Sequence, residues 1–120
     1  MVFSKFQRDI IEHLVSCLPD ENHFLEQIDF LSLEGLEHNG KEVLYRYKTA
    51  YIPEKQCDEN IVLDGLEILS SELNSGASAA VFLQNGLICF LQILSHSGEF
   101  PVNELTNYTL INNLLKQFPS

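Results

Sequence analysis

The strongest constraint on the fold is a pair of apolar segments joined by Asn85-Gly86. Residues 78–83 precede this dipeptide and residues 87–94 follow it. Asn and Gly both tolerate the positive φ angles of a tight two-residue turn, so this arrangement predicts a β-hairpin. Both faces of each strand are apolar, which is typical of central strands that are covered on both sides or edged by a partner. The hairpin is therefore predicted to form the middle of a sheet.

Three further segments are predicted as strands. Residues 30–37 and 42–49 alternate apolar and polar side chains on either side of His38-Asn39-Gly40, which is a second hairpin pattern. Residues 61–73 begin with Ile-Val-Leu, and although their leucine spacing also fits a helix, we favour a strand. Residues 49–60 contain a proline and several charged side chains, which indicates a loop.

The N-terminal quarter is predicted to be helical. Residues 4–18 place apolar side chains at spacings of three and four, the pattern of a helix that buries one face. Ser4 fits the N-cap, because its hydroxyl can accept a hydrogen bond from a free backbone N–H. A second short helix is expected through residues 24–28, with Asp20 or Asn22 as its cap.

The order of these elements predicts an α+β fold. N-terminal helices followed by successive hairpins favour helices packed on a mainly antiparallel sheet of about four to five strands. Residues 112–118 are predicted to form a short C-terminal helix that ends at Pro119, which cannot continue it. With 120 residues and no linker or internal repeat, the chain is expected to be a single domain over residues 1–120.

The charge balance limits the partners of this chain. Seventeen acidic residues against seven basic ones give a net charge of −10, and no Lys or Arg occurs between Lys55 and Lys116. Nucleic acids and anionic membranes are repelled by such a protein, so neither is expected to bind it directly. The charge either serves solubility alone or forms a patch that steers a basic protein partner.

The sequence contains no recognisable catalytic or metal-binding motif. The three cysteines form no CxxC pair, the four histidines are scattered, and the nucleotide-binding glycine loops are missing. A non-enzymatic protein without cofactor or metal is therefore expected, and an enzyme would need histidines and carboxylates that converge in a pocket. The sequence also lacks an apolar run of about 18 residues and a signal-peptide pattern, so a cytoplasmic location is expected.

Residues 80–101 carry a resemblance to a known group of proteins. This segment is AVFLQNGLICFLQILSHSGEFP. It is similar to a pattern found in small acidic bacterial proteins, in which a strand, a turn and a second strand precede a short polar loop and a proline. The N-terminal helix and Phe24-Leu25-Glu26-Gln27-Ile28 are similar to the same group. Many such proteins are encoded beside polymorphic toxins, and they look like the immunity proteins of contact-dependent growth inhibition systems. One position departs from the pattern, since Gln92 stands where an acid is usual.

The resemblance implies a binding function. Such an immunity protein binds a cognate toxin domain, frequently a nuclease, and blocks its active site or substrate groove. A nuclease must be cationic to hold phosphate, so an anionic inhibitor is physically reasonable, and a monomer is more expected than a dimer. The predicted partner-binding acids fall in the interval without basic residues: Asp58, Glu59, Asp64, Glu67, Glu72 and Glu99.

Three tyrosines are predicted as anchors for the same partner. Tyr45, Tyr47 and Tyr51 lie close together in sequence, and tyrosine is enriched at protein interfaces. The alternative is that they belong to the strand core, with hydroxyls at its rim. A second function class is also open, since small acidic α+β proteins resemble dimeric secretion chaperones that hold an effector in an unfolded form.

Overall fold

The computed structural model describes residues 3–19, 21–51 and 60–112. Within these ranges the chain forms two helices followed by six strands. The elements are α1 Lys5–Val15, α2 Glu21–Ile28, β1 Leu31–Asn39, β2 Glu42–Thr49, β3 Asn60–Leu69, β4 Ala77–Gln84, β5 Leu87–Ser95 and β6 Thr109–Asn112.

All strand pairs are antiparallel and belong to one sheet of order β1-β2-β5-β4-β3-β6. The predicted hairpin is the β4–β5 pair at the centre of this order. Asn85 and Gly86 form its turn with φ angles of 53° and 78°, the left-handed values that the two residue types tolerate. The predicted α+β class is therefore confirmed, and so is the antiparallel character of the sheet.

The strand count differs from the prediction at the end of the described chain. A sixth strand, β6, pairs with β3 and puts Leu110 opposite Ile68. Asn112 is the last residue of β6, whereas we predicted that a helix begins there. The remainder of that predicted helix, residues 113–118, lies outside the described residues. Residues 52–59, which make up most of the loop predicted at 49–60, also lie outside them. The predicted strand at 61–73 is confirmed as β3, which ends at Leu69.

Helix α1 begins as the sequence predicts. The Ser4 hydroxyl accepts a hydrogen bond from the Gln7 backbone N–H at 3.3 Å and caps the helix. The apolar face of α1 buries Ile10, Ile11 and Leu14 completely. These side chains lie against the sheet, where α1 contacts β3, β4 and β6 and α2 contacts β5. Burial of this stripe supplies the main apolar contribution to docking of the helix.

The segment between β5 and β6 covers the same side of the sheet as the helices. Phe100 and Leu105 are buried in the core. Phe6 of α1 contacts both Phe100 and Tyr108, with ring centroids 6.5 Å and 5.1 Å apart. Helices and this segment therefore form one layer on one face of the sheet.

Candidate functional site

The face of the sheet opposite the helices is the candidate site. Side chains alternate along each strand, so every buried residue of β2 to β5 has neighbours that point away from the helices. No described element covers that side of the sheet, which we call the open face. Its central members are Glu42, Leu44, Arg46, Val62, Asp64, Glu67, Ser78, Ala80, Phe82, Phe90, Gln92 and Leu94.

An apolar row crosses the open face. Strand register puts Val62 opposite Phe82 and Phe82 opposite Phe90. The two phenylalanine rings meet edge to face with centroids 6.4 Å apart. Val62 is 53% exposed, and both rings keep part of their surface in contact with solvent. Three neighbouring strands thus present adjacent apolar side chains on the outer side of the sheet.

More exposed apolar side chains belong to the same face. Leu94 of β5 is 44% exposed, and Leu69 of β3 and Ile111 of β6 are exposed to a similar degree. Together with Val62 they make up four of the seven large apolar residues that are exposed in the described chain. Such clustering on one face is typical of an interaction surface, whereas single exposed apolar residues are ordinary.

Two predicted acids lie beside this apolar surface. Asp64 and Glu67, both on β3, line a cavity of about 290 Å³ together with Ser78, Ala80 and Leu94. The β3–β4 register shifts between Leu63 and Leu66, and Asp64 lies within that irregular stretch of β3. The Glu67 carboxylate is 2.7 Å from His96 Nε2. The structure therefore brings these two acids together on the open face.

A third acid lies on the far side of this cavity. Gln92 of β5 also lines it, and its Nε2 donates a hydrogen bond of 2.7 Å to Glu42 Oε2 on β2. Glu42 and Glu67 belong to one cross-strand row through Leu94 and Ser78. Three strand spacings separate them, which is roughly 14 Å. Acidic groups therefore lie at both ends of the cross-strand row that contains Leu94.

Positive charge lies on another part of the same face. Arg46 continues the row of Phe82 and Phe90 towards β1, where it pairs with Gly35. A Cβ atom at Gly35 would overlap the Arg46 guanidinium, so the absence of a side chain there leaves room for Arg46 to lie across the strand. The open face is therefore acidic near Glu42, Asp64 and Glu67 and basic near Arg46.

The remaining predicted acids do not join this cluster. Glu72 lies in the connection between β3 and β4, where its Oε2 accepts hydrogen bonds from the backbone N–H groups of Thr106 and Asn107 at 2.9 and 3.1 Å. These two backbone donors lower the pKa of Glu72. Its carboxylate thus links the β3–β4 connection to the segment between β5 and β6. Glu99 is exposed in the turn after β5, and Asp58-Glu59 lies outside the described residues.

Two of the three predicted tyrosine anchors lie in the core. Tyr45 is 2% exposed and Tyr47 is 5% exposed, because both point towards the helix layer. The Tyr47 hydroxyl donates to Gln7 Oε1 at 2.8 Å. Burial, and then the charge of Glu104, raises the pKa of Tyr45. The anchor role predicted for these two residues does not fit their burial, whereas the alternative core position does.

Tyr51 has a different environment. It is half-buried, and its hydroxyl lies 3.1 Å from His23 Nδ1 on α2. Its ring also packs beside Phe30, with centroids 6.0 Å apart. Tyr51 is therefore separated from Asp64 and Glu67, since His23 and α2 belong to the helix side.

Several members of the open face were not predicted from the sequence. Phe82, Phe90 and Leu94 were assigned to central strands that are covered on both sides or edged by a partner. Val62 was assigned only to a strand, and Glu42 lies outside the interval without basic residues. The sequence feature that could have indicated them is the presence of apolar residues on both faces of β4 and β5. This feature is also typical of strands with one apolar face exposed to solvent. Gln92, which stands where the resembling proteins usually carry an acid, lies at the centre of the face.

The described residues contain no group of three or more His, Cys, Asp or Glu side chains that could hold a metal ion. Within the same ranges, no helix is long and apolar enough to cross a membrane. Comparisons with protein-family models, with curated proteins and with solved structures found no match.

Proposed function

We propose that the protein is a cytoplasmic immunity protein that binds a cognate basic toxin domain, nuclease in class, and blocks its active site or substrate groove. The observation that carries this proposal is the open face, where exposed apolar side chains adjoin Glu42, Asp64 and Glu67. A surface of this composition matches a partner that has an apolar centre and a cationic border.

The physical roles of the two parts of the face differ. Burial of Val62, Phe82 and Phe90 against a partner removes apolar surface from water and supplies affinity. Asp64 and Glu67 add charge complementarity, which raises the association rate at low salt and favours a cationic partner over others. A toxin that holds phosphate with Lys and Arg side chains presents the charge that this border requires.

The first test is capture of the partner with the tagged full-length protein from a lysate of the source organism, at low and at high salt. We expect one basic protein domain in a 1:1 complex, weaker at high salt because salt screens the charges. Nuclease activity is then measured with the partner bound and after its release. Activity that is absent in the complex and present after release supports the proposal.

A matched pair of variants tests the interface. Asp64→Lys changes an exposed acid on the open face, and Glu26→Lys makes the same change at an exposed position of helix α2. Both variants alter the net charge equally, so their difference measures local contact with the captured partner. We expect Asp64→Lys to weaken binding about tenfold more than Glu26→Lys does and to reduce the salt dependence further.

The alternative function, a dimeric secretion chaperone, predicts a different result in the same experiments. A chaperone would be a dimer by native mass, with the apolar part of the open face available to bury against a second copy. It would also bind an extended, unfolded effector segment and not a folded domain. Recovery of such a complex, or equal effects of the two charge reversals, would contradict the immunity proposal.

A further inference from the structure

A second cavity lies on the helix side of the sheet, away from the open face. It has a volume of about 290 Å³ and lies between the N-terminal end of α1, strands β1 and β2, and residues 100–104. Its rim includes Leu36 and Val102, which are 47% and 89% exposed, so the cavity opens to solvent. One liquid water occupies about 30 Å³, so this volume suits a group of about five to ten heavy atoms.

The walls of this cavity are largely apolar. Leu33 and Leu36 of β1, Val43 of β2, and Phe100 contribute aliphatic and aromatic surface. Val43 and Phe100 are themselves buried in the core, which fixes their positions. A carbon chain that enters the cavity would therefore replace water with fixed apolar surface, the usual source of affinity in small-molecule sites.

One carboxylate lies in the wall of this apolar space. Glu104 Oε2 accepts a hydrogen bond of 2.8 Å from Gln7 Nε2, and Gln7 is 1% exposed. Burial, and then the negative charge of Glu104, raises the pKa of the buried Tyr45 hydroxyl, which lines the same cavity. The buried Gln7 amide thus holds the carboxylate in position.

Among the described residues, the lining of the cavity contains no Lys or Arg that could balance this charge. None of the ion pairs between described side chains includes Glu104. His38, which lines the rim, has its Nε2 2.8 Å from the Phe100 carbonyl oxygen. An anionic group held at the wall of an apolar cavity selects a ligand with a cationic end and an apolar body.

We infer that this cavity binds an alkylammonium group, with the carbon chain against Leu33, Val43 and Phe100 and the charge paired with Glu104. The group could belong to a free small amine or to a lysine side chain of another protein, since both present the same chemistry. This site is independent of the proposed toxin interface, because it uses the opposite side of the sheet.

The test is a titration of the full-length protein, followed by amide chemical shifts, with n-butylammonium chloride and with neutral 1-butanol. We expect shifts at Val43, Tyr45 and Phe100, and about tenfold tighter binding of the amine, since a charge-assisted hydrogen bond adds to the apolar contact. Equal affinity for both probes, or no shift at these residues, would overturn the inference.

Two variants and one control locate the charge. Glu104→Gln keeps the shape of the side chain and is expected to abolish the preference for the amine over 1-butanol. Glu99→Gln, an exposed acid outside the cavity lining, is expected to leave the preference unchanged. Val102→Lys adds a tethered ammonium at an exposed rim position, so it should weaken binding of the amine even if Glu104→Gln does not fold.

The source of the group is distinguished by a third probe, lysine blocked as an N-acetyl N′-methyl amide. Binding equal to that of n-butylammonium supports a protein side chain, because the cavity then accepts the group on a peptide backbone. Binding of the free amine alone supports a small-molecule ligand. A retained preference for the amine in both Glu104→Gln and Val102→Lys would contradict the assignment of Glu104.

Discussion

Gln27 is a buried amide that joins helix α2 to the turn of the central hairpin. Its side chain is completely buried. Nε2 donates to the Gly86 carbonyl oxygen at 3.0 Å, and Oε1 accepts from the Ile88 backbone N–H. Both partners are backbone groups at the start of β5, where the β4–β5 register shifts. A single buried side chain therefore hydrogen-bonds two backbone groups at the turn and the start of β5.

Replacement of Gln27 by Leu is expected to destabilise the fold strongly. The volume is nearly kept, but the Gly86 carbonyl and the Ile88 N–H lose their partner inside the core. Each unsatisfied buried group costs about 1–3 kcal/mol, so we expect the free energy of unfolding to fall by about 2–4 kcal/mol. Urea denaturation followed by circular dichroism measures this change.

The matched control for Gln27→Leu is Gln84→Leu. Gln84 is exposed at the end of β4, beside the same turn, so its replacement should change the unfolding free energy by no more than about 0.5 kcal/mol. Similar effects in the two variants would mean that water or a local shift satisfies the groups that Gln27 now binds.

The connections between strands are held by side-chain contacts at specific positions. Glu72, between β3 and β4, binds the backbone of Thr106 and Asn107, just before β6 begins. Ser70 in the same connection donates its hydroxyl proton to the Asn107 carbonyl oxygen at 2.6 Å. The short strand β6 is thus positioned by a clamp at its N-terminal end as well as by its pairing with β3.

Removal of the Glu72 charge is expected to loosen this clamp. The pKa of Glu72 is lowered by its backbone donors, so the clamp is present above the ordinary carboxyl range and is lost as pH falls through the lowered pKa. In Glu72→Gln, the amide protons of Thr106 and Asn107 should exchange with solvent faster at neutral pH. Hydrogen exchange followed by NMR measures their protection.

Comparison with Glu99→Gln separates the clamp from a general effect of charge. Glu99 is exposed, and Glu99→Gln changes the net charge by the same amount as Glu72→Gln. The protection of the amide protons of residues 106 and 107 from exchange should therefore stay as in the unmodified protein. As pH falls and Glu72 becomes protonated, amide exchange at residues 106 and 107 of the unmodified protein should approach the rate seen in Glu72→Gln. If amide protection in Glu72→Gln were unchanged, the Glu72 hydrogen bonds would not be what positions β6.

Elements with a local signal could be predicted from the sequence. Asn85-Gly86 specified the turn of β4 and β5, and Ser4 specified the start of α1. β6 gives no such signal, because it has four residues and its partner β3 ends about 40 positions earlier in the chain. Alternation assigned Tyr45 and Tyr47 to one face of β2, but only the position of the helix layer decides that this face is buried.

The same limit applies to the open face. Periodicity shows that β4 and β5 are apolar on both sides, but it does not show how many layers cover the sheet. The described helices cover only one side. Asp64 and Glu67 were found from the charge distribution alone, whereas their neighbours Val62 and Leu94 required knowledge of the sheet order. A candidate site that combines residues from four strands is a product of topology.

At the scale of the whole molecule, net charge and the open face act in opposite directions. Exposed apolar side chains on neighbouring strands favour association between copies. A net charge of −10 opposes it, because copies repel one another at neutral pH. The charge therefore opposes association between copies even though one sheet face is apolar and exposed.

This balance predicts self-association when the charge is removed. At a pH near the isoelectric point of 4.6 the repulsion disappears, and light scattering should show association that is absent at pH near 7. Val62→Lys and Val102→Lys shift the net charge equally, but only Val62 lies on the open face. We expect Val62→Lys to suppress association at the variant's own isoelectric point and Val102→Lys to retain it. Equal association in both variants would mean that a surface other than the open face mediates self-association.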